Sequence, residues 1–178
     1  MVSSSSGGAP LVDDGSSTVP ADPEPVLSFD ELLDDIDARS EEFTSILFEM
    51  NFLRRAPTVF TEWLRRPQIV NVTDLDLFDE AEMTGKLSEV DAEELRQIDL
   101  VVVGHDRREP GNPEAFIAIQ ISRTLDLDDL DRAEERAKIL GRIGYRARAA
   151  VGGRFASERI RELAQQRDII LRLVDQSR

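Results

Sequence analysis

Asp99 and Gln120 stand on two apolar segments joined by a short polar turn, and their types decide what chemistry the chain can carry. The first segment reads Ile-Asp-Leu-Val-Val-Val-Gly from 98 to 104. The second reads Ala-Phe-Ile-Ala-Ile-Gln-Ile-Ser from 115 to 122, and His105 to Asn112 lie between them. Magnesium-assisted hydrolysis of a phosphodiester needs carboxylates converging on one ion, with the remaining positions left to water and phosphate. A nearby lysine orients or activates the attacking water. Strand alternation supplies the geometry, since residues 120 and 122 share a face and an acid on the neighbouring strand looks at them. A pocket of that kind would carry Glu and Lys where this chain has Gln120 and Ser122. The amide removes one charge from a site whose affinity follows charge count, and the hydroxyl supplies no ammonium.

Several elements must position these residues. Ser28 to Arg55 reads as one long helix with Phe29, Leu32, Leu33, Ile36, Phe43, Ile46, Leu47, Met50 and Leu53 at three- and four-residue steps, which predicts one buried stripe, and Pro57 ends or bends it. Thr58 to Arg66 reads as a short helix bearing Phe60, Trp63 and Leu64, closed by Pro67, with a strand over Gln68 to Val72. Acidic helical turns follow, the last capped by Ser88 with Asp91 three residues on. After the two apolar strands come a helix from Asp126 to Leu140, a strand from Tyr145 to Val151, a helix from Ala156 to Gln166 and a strand from Ile169 to Val174. This order predicts an α/β fold whose central mixed sheet, flanked by helices, contains parallel members and opens on an antiparallel hairpin.

The chain resembles the PD-(D/E)XK nuclease superfamily, and within it a bacterial branch whose members often carry a coiled coil ahead of the nuclease-like core. The residues that carry the resemblance are Phe48 to Pro57 (FEMNFLRRAP), Phe60 to Arg66, Gly85 to Glu89, Ile98 to Val102, Ala118 to Ser122 and Gly144-Tyr145, spread over roughly residues 40–175. The resemblance implies a restriction-endonuclease-like core over 58–178, preceded by the long helix over 29–57. It matches Glu49 to the superfamily's helix glutamate and Asp99 to its first-strand metal ligand. Gln120 falls where the second carboxylate is expected and Ser122 where lysine is usual, although the branch often reads Glu-x-Ser. With these departures the four positions read as vestigial. The function expected is that of a catalytically inactive interaction or assembly module, with no cofactor. The alternative is a Mg2+-dependent DNA or RNA endonuclease with Asp99 as metal ligand, Glu49 beside it and a carboxylate recruited from elsewhere, such as Glu114.

Composition bears on partners. The net charge of −14 is uneven: residues 1–48 hold 11 acids and one arginine, whereas residues 142–178 hold nine arginines and four acids. Such acidity disfavours binding to phosphate backbones, whose affinity comes from counterion release to Lys and Arg. A protein partner or self-association through the N-terminal helix is expected instead. Residues 1–28, rich in Ser, Gly, Pro and Asp, lack periodic apolar positions and read as disordered. No apolar run approaches 18 residues, so no membrane span is expected. The absence of cysteine fits a reducing cytoplasm.

Other chemistry-bearing residues have duller readings. His105, the only histidine, has no partner for a triad or a zinc site and reads as an exposed loop residue. Asp126, Asp128, Asp129 and Asp131 suit a helix N-terminus better than a calcium loop, because Leu127 and Leu130 interrupt the spacing. Gly152-Gly153-Arg154 reads as a tight turn from strand to helix, and Trp63 with Phe60 as core.

Overall fold

A computed structural model describes residues 29–174, with side chains from Arg39 onward. The expected disordered lead over 1–28 lies outside the described residues. Five strands form one open mixed sheet in the order β1 (Leu64–Val70), β2 (Leu100–Asp106), β3 (Glu114–Leu125), β4 (Ala147–Ala156) and β5 (Ile170–Leu173). β2 runs antiparallel to both its neighbours, β1 and β3, and β3, β4 and β5 run parallel. The helices are α1 (Phe29–Val59), α2 (Asp76–Met83), α3 (Glu89–Arg96), α4 (Leu127–Arg142) and α5 (Glu158–Gln166), with a 3-10 turn over Val72–Asp74. The expectation of an α/β fold with a central mixed sheet flanked by helices holds. Among the described residues no helix is long and apolar enough to cross a membrane.

Alternation along the strands divides the core in two. Ala115, Ile117, Ile119 and Ile121 of β3, with Leu100 and Val102 of β2 and Ala150 of β4, pack under α1 against Phe48, Phe52 and Ala56. Phe116 and Ala118, with Val101, Ala149 and Val151, face Leu130, Ala133, Ala137 and Leu140 of α4 and the inner residues of α2, α3 and α5. Both sides of β3 are therefore covered, which is why its sequence runs apolar at every position from 115 to 119.

Caps form where the sequence placed them. Ser88 Oγ accepts from the Asp91 amide at 3.1 Å. Asp126 and Asp129 exchange side-chain-to-backbone bonds in a reciprocal capping box at the start of α4, so the acids there serve the helix terminus.

Four expectations fail. The short helix over 58–66 is absent: α1 continues through Pro57 to Val59, a turn carries Phe60 to Trp63, and Leu64 already begins β1. The apolar spacing of Phe60, Trp63 and Leu64 imitated a helix, but these side chains plug the end of the α1-side core. Pro67 is tolerated because β1 is an edge strand, irregular between Arg65 and Gln68, with Arg66 at φ 52°. Second, Gly152-Gly153-Arg154 does not turn into a helix. These residues lie inside β4, which runs five residues beyond the expected end. A Cβ on Gly152 would sit 2.2 Å from the Phe52 ring, and one on Gly153 2.6 Å from Leu125, so the glycines are sockets for side chains. Third, His105 belongs to β2, paired with Arg65 and Glu114, although its side chain is exposed as expected. Fourth, the stripe of α1 read as buried faces outward at Phe43, Ile46, Leu47 and Met50, and the helix packs on the sheet through Phe48, Phe52 and Ala56 instead.

Candidate functional site

The hairpin β2–β3 sets the register of the site. Leu100 lies opposite Ile119 and Val101 opposite Ala118, so Asp99, in the bend just before β2, sits beside Gln120 at the open end of the hairpin. Asp99 Oδ2 accepts a bond from the Ile121 amide at 2.6 Å, which ties that bend to β3. Burial pushes the Asp99 carboxyl above its ordinary range, against the opposing pull of that amide and of Arg136. Glu49 pushes it up further and Arg132 draws it down, so these two charges lie within electrostatic reach of Asp99 as well.

Gln120 points to the α4 side, where its position alternates with Phe116 and Ala118. It is buried, and its Oε1 accepts from Nη1 of Arg136. Arg136 is itself only 3% exposed, and its Nε donates to Glu94 Oε1 of α3 at 2.9 Å. One guanidinium thus joins three elements, linking β3 to α3 through the inner face of α4. Ser122 shares the face of Gln120 by alternation, but its hydroxyl is spent on the Thr124 carbonyl at 3.0 Å. Glu49, half-buried on α1, accepts from Ser45 Oγ at 3.4 Å.

The four positions singled out from sequence therefore do not form one set. Asp99 and Gln120 are neighbours, Glu49 approaches Asp99 from the α1 side, and Ser122 bonds locally. Glu114 pairs with His105 at the far end of the hairpin. Its place at the start of β3, six residues before Gln120, puts it roughly 20 Å from the site.

Arg136 was not found from sequence, nor was Glu94. The one available signal is an arginine flanking the stripe of Leu130, Ala133, Ala137 and Leu140, where two alanines leave room for a long side chain. Its partners stand 42 and 16 residues away, so no local pattern announces them.

Magnesium fits this donor set poorly. The ion wants several hard, anionic oxygens in octahedral array. Here the amide oxygen of Gln120 is already engaged by a cation, and the adjoining charge is a guanidinium that would repel a second one. Among the described residues no cluster of three or more His, Asp or Glu side chains is arranged to hold a metal ion. The arrangement does something else: it gives the buried amide oxygen a charged donor and fixes α4 against α3 and β3.

No family model matches the chain, and neither a curated protein nor a solved structure matches it.

Proposed function

We propose that the chain is a PD-(D/E)XK-like protein with a restriction-endonuclease-like core, which has lost phosphodiester cleavage and works in the cytoplasm as an interaction or assembly module. The single observation behind this reading is the buried Arg136 guanidinium, bonded to Gln120 and Glu94 where a working site would keep a divalent ion. A fixed internal cation satisfies the residual negative potential of Asp99 and Glu94, so the pocket has no electrostatic need of magnesium. The acidic charge of the whole chain further disfavours a phosphate-rich substrate.

A second reading, a magnesium-dependent nuclease with a divergent site, draws on one observation. Glu49 and Asp99 are two carboxylates close enough for the first to raise the pKa of the second, and such pairs recur in metal sites.

Cleavage assays with supercoiled and single-stranded DNA and with RNA, in magnesium or manganese, separate the two. The inactive reading expects intact substrate and no heat of metal binding by calorimetry. Cleavage that disappears in Asp99→Ala would establish the nuclease instead. Restoring the site by Gln120→Glu and Ser122→Lys should fail while Arg136 remains, because the new carboxylate pairs with the guanidinium. Adding Arg136→Gln should free it to bind manganese.

A further inference from the structure

Helix α1 carries two apolar stripes, and the sheet uses only one. Phe48, Phe52 and Ala56 are buried against β2, β3 and β4. Phe43, Ile46, Leu47 and Met50 lie on the opposite side of the helix and are 62%, 46%, 42% and 61% exposed. Their spacing is that of a helix-packing seam, and in the sequence the same seven-residue step runs back from Met50 through Phe43 and Ile36 to Phe29. A single exposed leucine needs no explanation, but four large apolar side chains in one line do.

Charge along the same segment identifies what covers the line. Residues 30–42 contain seven acids against one arginine, while Arg54 and Arg55 stand near the other end of α1, no acid lies between Met50 and Val59, and Arg65 and Arg66 follow on β1. The arginines at 54, 55, 65 and 66 are all exposed. A helix with this polarity complements a copy of itself laid in the opposite direction. Each acidic half then runs beside the other copy's arginines. Laid in the same direction, the two acidic halves would repel along their length.

We infer that two copies of this chain associate through an antiparallel pairing of α1, with Phe43, Ile46, Leu47 and Met50 of each at the centre of an isologous contact. This rests on the reading of the chain as an assembly module and names its partner as a second copy. The occupant must be a helix with an outward apolar stripe, acidic at one end and basic at the other, and α1 itself meets these conditions.

Sedimentation equilibrium on the full chain up to about 100 µM should show a dimer, weakened by added salt. Phe43→Glu with Leu47→Glu should give a monomer of unchanged circular dichroism, and Arg54→Glu with Arg55→Glu should weaken the dimer by about tenfold or more. Direction is read from spin labels on Thr58→Cys, an exposed position in a chain without other cysteines. An antiparallel pair separates the two labelled backbones by roughly 35–40 Å along the helix, and a parallel pair brings them within about 10 Å. A monomer at the highest concentration, a dimer that survives Phe43→Glu with Leu47→Glu, or a short label distance would each overturn the inference. The metal calorimetry is independent of it. A monomer that takes up no magnesium defeats self-pairing and leaves the loss of catalysis standing, whereas a dimer that binds magnesium does the reverse.

Discussion

The two faces of the sheet are built by different physics. Under α1 the contact is dry: Phe48, Phe52 and Phe60 step along the helix end with ring centroids 6.2 and 6.5 Å apart, over Ile117, Ile119 and Ile121. Under α4 the same strands meet an apolar layer pierced by one polar spine, Gln120–Arg136–Glu94, with buried Asp129 at the helix start. Dispersion and area burial hold the first face, which tolerates hydrophobic exchange if volume is kept. The second is held to one arrangement by directional bonds that cost much if half-broken. On that face Gln120, Arg136 and Glu94 bond to one another, while Asp99 and Ser122 bond to backbone.

That contrast can be broken by substitution. The largest loss is expected from Phe52→Ala, which empties the centre of the dry face and should cost about 4 kcal/mol in urea unfolding. Arg136→Ala should follow at about 3 kcal/mol, because it strands a buried amide and the Glu94 carboxylate. The double change Arg136→Met with Gln120→Leu should regain most of that loss. A double variant as unstable as Arg136→Ala would show that the spine positions something that packing alone cannot. Gly152→Ala should cost about 2 kcal/mol by pressing a methyl into the Phe52 ring, and Phe52→Leu in the same chain should relieve part of it, which a double-mutant cycle reads directly.

The smallest effect concerns pH. Asp99 has its carboxyl raised above 3.8 in the fold, so the native state holds its proton more tightly than the unfolded chain does. Its contribution is therefore most favourable at acid pH and is lost as pH rises from its ordinary value through the raised one. Asp99→Asn keeps an acceptor for the Ile121 amide and removes the titration. The variant should gain stability relative to the parent at pH 7 and lose that advantage near pH 4, in paired urea titrations. An advantage that grows toward acid would contradict the placement of this carboxyl in a poorly solvated bend.

What the sequence revealed and what it concealed follow from the range of the interactions. The apolar runs 100–103 and 115–119 were legible because both faces of these stretches are covered, although β2 and β3 each extend past the expected ends at 104 and 122. The capped starts of α3 and α4 were legible because Ser88 and Asp126 act within three residues. β1 was not, since an edge strand with Pro67, Arg65 and Arg66 lacks strand composition and is specified by pairing with β2. Gly152 and Gly153 carry the local signature of a turn. Only the arrival of Phe52 and Leu125 makes glycine obligatory in mid-strand. The same holds at the site. Asp99 and Gln120 were found as a pair because a hairpin joins them, while Arg136 reaches Gln120 and Glu94 only once α3, β3 and α4 are packed.

The fit of Phe52 over Gly152 has a consequence for the outside of the molecule. A ring seated in a gap with no slack keys the rotation of α1 about its own axis, as a spline keys a shaft. Whatever angle that seat dictates is the angle at which Phe43 and Leu47 face outward, and so the angle of the pairing inferred for them. An inner residue therefore sets the aim of the outer stripe.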